Sequence, residues 1–275
     1  MKKTAVLLFL ALFSVVAGCK VLAKPRPEII VDSSMGVHDK TFVWWDCPVF
    51  VSYSDGKVIW RKRWEQSLNA FSTTDAPHAS IITEKIRAIV TRFEGKTFIV
   101  TGSTNPERTV IWSDGKKITV WGNWDNPRSY EPVPADGLHE RLNENERMLL
   151  ASLPSEIRSV LRELRAFSPT VAKPWRPERL SLVLQQPLRS YSGGIEWPAD
   201  WPHSFSPAAI FESGLQIELP GSILQDLSRL APFDGPAKVF RLRGEARYAN
   251  LRFLFPDEDG PEFRSSRMIE SNSQP

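Results

Sequence analysis

Cysteine and histidine are scarce in this chain of 275 residues, which holds two Cys and four His. Cys19 and Cys47 cannot frame a disulfide scaffold, and His38, His78, His139 and His203 are too scattered for metal-ligand spacing. His139-Glu140-Arg141-Leu142-Asn143 begins like the His-Glu-x-x-His zinc signature, but Asn143 occupies the position where the second ligand must sit, one helical turn on. Asp257-Glu258-Asp259-Gly260 is a fragment of a calcium loop without the alternating ligands or the distal Glu. No glycine-rich phosphate loop follows any apolar run, which argues against a doubly wound nucleotide fold. Charge of one sign is also lacking: 35 Lys and Arg stand against 32 Asp and Glu. Nucleic acid would demand a basic surface, so neither that partner nor a metal or other cofactor is expected.

What the chain does have is concentrated at its start. Lys2 and Lys3 precede an uncharged apolar run from Thr4 to Val16, which closes on Val16-Ala17-Gly18-Cys19. A spanning helix needs roughly 20 apolar residues, so this shorter run behind a positive n-region reads as an export signal over residues 1–18. Its last four residues resemble the lipobox of bacterial lipoproteins, with Val16 where that pattern prefers Leu. The resemblance covers this segment alone. It implies that the Cys19 thiol receives a diacylglyceryl group and becomes the first residue of the mature chain, anchoring the protein to a membrane. Lys20, standing where Asp would signal inner-membrane retention, points to outer-membrane or surface sorting. Val21-Leu22-Ala23 offers a second cleavage site, which would release a soluble periplasmic or secreted protein. Cleavage before Cys19 removes Lys2 and Lys3, leaving 33 basic against 32 acidic residues, a net of +1. If Cys19 is lipidated or removed, Cys47 is alone and an intrachain disulfide is excluded. About 255 residues remain, ample for one large or two small hydrophobic cores.

The organisation beyond the signal reads as a tether over 19–38, an N-terminal α+β part over 39–168, a C-terminal α+β part over 169–256 that could share the same domain, and a disordered polar tail over 257–275. Thr41 to Val51 and Lys57 to Trp60 read as strands of a hairpin around Asp55-Gly56, because Asp-Gly supplies the positive φ of a tight turn. Asp114-Gly115 plays the same part between Thr109 to Trp112 and Ile118 to Trp121. Ile81, Ile82, Ile86, Ile89, Val90 and Phe93 form a helical stripe that ends at Gly95. The middle is helical, over Leu138 to Leu153 and again from a Ser155 cap through Phe167, with Pro154 between. Strands at Thr97 to Thr101, Leu180 to Leu184 and Leu215 to Leu219, a helix at Ser222 to Leu230, and a hairpin of Ala237 to Leu242 with Ala246 to Phe255 complete the set. Strands and helices in segregated groups predict an α+β fold, mostly antiparallel hairpins with a central helical segment.

Candidate chemistry is thin. The string Ser-Asp-Gly-Lys occurs at Ser54 to Lys57 and at Ser113 to Lys116; it fits the Ser-x-x-Lys pattern of acyl-transfer enzymes, but in a hairpin turn the two side chains diverge. Asp46, Cys47, Asp75 and His78 could assemble a thiol nucleophile only if folding brought His78 to a sulfur that sits in an apolar strand. Ten Trp against four Tyr is the more unusual signal. Trp60, Trp112 and Trp121 lie on core-like hairpins, whereas Trp197 and Trp201, in a Pro-rich stretch, are expected at the surface where indole rings could stack on sugars. The sequence reads as a membrane-anchored envelope lipoprotein with a non-catalytic interaction or structural role, its partners the membrane and an envelope protein or glycan. A glycan- or peptidoglycan-binding module and a hydrolase with a dispersed site are the alternatives.

Overall fold

The computed structural model describes residues 25–34, 48–62, 71–100, 108–125, 144–186, 193–207, 214–230 and 238–258. They form an α+β fold dominated by sheet. Strand β1 (Pro27–Ser34) lies inside an eight-stranded sheet, antiparallel to β2 (Pro48–Tyr53) on one side and to β6 (Arg108–Ser113) on the other. Beyond β2 come β3 (Lys57–Arg61), β4 (Phe71–Asp75) and the short β8 (Lys173–Pro174), all antiparallel; beyond β6 come β7 (Lys116–Trp121) and then β5 (Thr97–Ile99), which pairs with β7 in parallel. A six-stranded sheet runs in the order β10 (Ile195–Glu196), β13 (Lys238–Leu242), β14 (Glu245–Leu254), β9 (Arg179–Gln185), β12 (Leu215–Pro220), β11 (Ser206–Pro207).

The eight-stranded sheet is a middle layer, and its composition follows from that. Ile29, Val31, Val58, Trp60, Ile111 and Val120 pack toward helices α1 (Ser80–Arg92) and α3 (Ser155–Ala166), meeting Ile82, Ile86, Ile157, Leu161 and Leu164. Their strand neighbours Ile30, Val51, Ile59 and Trp112 pack the opposite way, against Leu180, Leu182, Ile217, Phe240 and Leu251 of the second sheet. A strand buried on both faces reads as a continuous apolar run, as Ile29-Ile30-Val31 does. The second sheet has one face in this core, so β14 alternates: Ala249, Leu251 and Phe253 are buried, while Tyr248, Asn250 and Arg252 are half-covered. Each large apolar side chain sealed between layers stabilises the fold by about 2 kcal/mol. Across the helix layer, Lys85 pairs with Glu163 at 2.5 Å and Arg92 with Glu156 at 2.8 Å, an antiparallel match of α1 and α3. Helix α2 (Glu144–Ala151) precedes α3 across Pro154, and α4 (Leu224–Leu230) buries Leu227 against the inter-sheet core.

The hairpins around Gly56 and Gly115 form as expected, with φ of +85° and +82°. The two identical strings nevertheless take different turns. Gly56 alone has positive φ in a three-residue loop whose Gly56 N–H donates to Tyr53 C=O at 2.9 Å, whereas Asp114 (φ +50°) and Gly115 together make a two-residue turn between Ser113 and Lys116.

Two expectations are corrected, the tether and the Ser155 cap. Residues 27–34, read as tether, form an interior strand of the middle layer; the apolar triplet is too short to show a period and follows Pro25 and Pro27, and Pro27 is tolerated as the first residue of a strand. Of the alternatives left open at residue 169, the Pro-punctuated stretch after Phe167 bears on one directly: it contributes β8 to the first sheet, and residues of both parts share one inter-sheet core. Ser155 is the first helical residue rather than the cap, Pro154 occupying the cap position. The expected tail begins with a turn in which Glu258 is buried; residues 259–275, like 41–47 and 138–143, lie outside the described residues.

Candidate functional site

A cleft of about 380 Å³ opens at the end of the middle sheet where β1 begins. Three pieces of local structure build it. The β2–β3 turn contributes Ser54 and Gly56, the latter needed because its conformation is left-handed. A 3-10 turn over Ala76–His78, with Pro77 as its second residue where a missing N–H costs nothing, places Ala76 and Pro77 opposite. The first turns of α1 supply Ser80, Thr83, Glu84 and Arg87.

The polar groups of the cleft largely engage one another. Arg87 Nη2 donates to Glu28 Oε2 at 2.7 Å, and its Nε lies 3.6 Å from Asp114 Oδ2, so one guanidinium ties β1 to the β6–β7 turn. The Thr83 hydroxyl is buried and donates to Ser80 C=O at 2.8 Å; the Ser80 hydroxyl donates to Pro77 C=O at 3.3 Å. Ser54 is held twice by the chain entering β1, its N–H donating to Arg26 C=O at 2.8 Å and its Oγ accepting from Arg26 N–H at 3.0 Å. The result is a polar notch with two carboxylates, Glu28 and Glu84, and one shared cation, Arg87, its hydroxyls and charges able to donate and accept hydrogen bonds. No group of three or more metal-ligating side chains occurs among the described residues. No helix among them is long and apolar enough to cross a membrane.

Tyr53 also lines this end but points its phenol between the sheets, where the hydroxyl donates to Pro256 C=O at 3.2 Å. Burial first, and the carboxylates of Glu258, Asp257 and Asp55 second, push its pKa well above the usual tyrosine range. Glu258 forms an ion pair with Arg252, and its other oxygen accepts from the Phe255 N–H at 2.7 Å.

The residues singled out from the sequence fall differently. Trp197 and Trp201 are 8% and 4% exposed and meet edge-to-face at 5.2 Å, with Phe240 against both and Trp197 Nε1 donating to Pro202 C=O at 3.2 Å. The expected surface exposure of these rings is therefore corrected: prolines make their segment irregular without taking it off the core. Asp75 precedes the 3-10 turn and His78 ends it, and both are exposed. Cys19, Asp46 and Cys47 lie outside the described residues. The Glu28–Arg87–Asp114 bridge escaped sequence reasoning, since three separate elements contribute one residue each and no spacing connects them. Comparison of the chain with protein families, with curated sequences and with solved structures gives no match.

Proposed function

We propose that the chain is an exported lipoprotein of a bacterial envelope, held to a membrane through Cys19, whose α+β body acts by non-covalent interaction rather than catalysis. One observation carries this reading: the succession of Lys2-Lys3, the apolar run Thr4 to Val16 and the Gly18-Cys19 junction at the head of the chain. The fold is compatible with it, because strand β1 starts at Pro27 and a folded body follows directly on a short linker. The cleft suits recognition, its shared cation and back-bonded hydroxyls being held in fixed positions. Metabolic labelling with a fatty acid analogue tests the anchor: wild-type protein takes up label and Cys19→Ser does not. Equal labelling of both, or a mature protein whose mass begins after Ala23, overturns it.

A further inference from the structure

We propose that the end of the middle sheet bearing the β2–β3 and β6–β7 turns is the surface that faces, and touches, the headgroup layer of the anchoring membrane. The inference rests on lipidation at Cys19. From there to the first residue of β1 the chain has only Lys20 to Arg26, seven residues, which span at most about 25 Å when fully extended and about 15 Å as a coil.

The place where that linker ends fixes which surface is held close. Arg26 is locked to Ser54 by two hydrogen bonds, and Pro27 pairs with Tyr53 at the end of β2. Glu28 C=O accepts from the Asp114 N–H at 3.3 Å, which puts the β6–β7 turn beside the same point. Lys57 opposes Asp75, so the start of β3 and the end of β4 share this end as well. The opposite ends of the same strands, at Ser34, Arg61 and Arg108, lie about 23 Å away along the eight residues of β1. A body whose linker, as a coil, is shorter than the sheet it carries, and which is attached through an interior strand rather than a terminal flap, presents its attachment end to the membrane.

The chemistry of that end fits a headgroup layer rather than hydrocarbon. Its turns carry Ser54, Asp55, Lys57, Asp114 and Lys116, charges of both signs that match the ammonium and phosphate groups of phospholipids. The cleft opens beside the point where the linker enters the fold, so its Glu28, Ser54 and Arg87 lie on this membrane-facing side.

The full chain, purified in its lipidated form and reconstituted into phosphatidylethanolamine/phosphatidylglycerol vesicles, decides the matter. In a Cys47→Ala background, a fluorophore on Lys57→Cys or Lys62→Cys samples the start of strand β3 and the residue just past its end. A headgroup-nitroxide phospholipid should quench the Lys57 label roughly threefold more than the Lys62 label, some 17 Å further along the strand. Equal quenching, or more at Lys62, in protein that floats with the vesicles overturns the orientation and leaves the anchor intact. Protein that does not float overturns the anchor and the orientation with it. Should the Cys47→Ala chain fail to fold, acylation of native lysines gives the same comparison. In vesicles, Lys57 and Lys116 should react several-fold more slowly relative to Lys62 than in vesicle-free Cys19→Ser protein, and an unchanged ratio overturns the proposal.

Discussion

The Tyr53 hydroxyl donates to the Pro256 carbonyl across 203 positions of sequence, joining the end of β2 in the middle sheet to the turn two residues beyond β14 in the outer one. The bond closes a seam between layers. Because burial and nearby carboxylates raise the pKa of Tyr53, the folded state holds this phenol neutral where the unfolded chain ionises.

Linkage gives that difference a sign. A pKa raised in the folded state contributes stability that is intact below the unfolded value, about pH 10, and declines above it by up to about 1.4 kcal/mol per pH unit. Tyr53→Phe keeps the ring and loses the hydrogen bond, so it should be less stable than wild type by about 1 kcal/mol at neutral pH. The gap between the two proteins should close as pH rises past the unfolded tyrosine pKa. Chemical denaturation of both across that range checks it; a constant gap would show that Tyr53 ionises as freely when folded.

Glu258 retains 4% of its surface, and its two oxygens meet the Arg252 guanidinium and the Phe255 N–H. Removing its carboxylate takes one buried acceptor away from a partly buried cation and from an amide at once. Glu258→Ala should lower stability by about 3 kcal/mol, with Glu258→Gln recovering part of that through the amide contact. Equal denaturation midpoints for the alanine variant and wild type would refute the pairing.

The two Ser-Asp-Gly-Lys turns make separable predictions from one string. Gly56→Val and Gly115→Val should each cost about 1 kcal/mol or more, since both glycines have positive φ. Asp114 also has positive φ while Asp55 is not among the residues that do, so Asp114→Val should cost about 1 kcal/mol more than Asp55→Val. Thermal melts of the four variants rank them; equal costs for the two aspartates would mean that the turns do not differ in solution.

These turns also show how far the sequence could be read. Asp-Gly announced both hairpins, and the isoleucine stripe announced α1, because turn chemistry and helical period are local signals. Strand β1 was hidden by the same burial that makes it central: Ile29, Ile30 and Val31 face two different layers, so no alternation marks them. Trp197 and Trp201 were misplaced because proline predicts irregular backbone and says nothing about depth. The cleft was not legible at all, since Glu28, Arg87 and Asp114 become neighbours only through strand order.

Gly221 offers the sharpest test of how the outer sheet is closed. It opens the 3-10 turn Gly221–Ile223 that follows β12, and its N–H donates to Glu178 C=O at 2.7 Å, bringing two backbones into direct contact. A Cβ placed there would lie 1.9 Å from the Pro177 carbonyl oxygen and 2.9 Å from its carbon. Both are backbone atoms anchored by the entry to β9, so no rotamer change relieves the clash. Gly221→Ala should therefore destabilise the protein by about 2 kcal/mol or more, although alanine is the smallest possible addition. At Gly95, where nothing lies within 4 Å of the added Cβ, the same substitution meets only the conformational penalty of a positive φ, about 1 kcal/mol. Denaturant midpoints of the two variants read the difference directly. Gly221→Ala falling no further than Gly95→Ala would mean that the segment before β9 does not pack against the end of β12 as described.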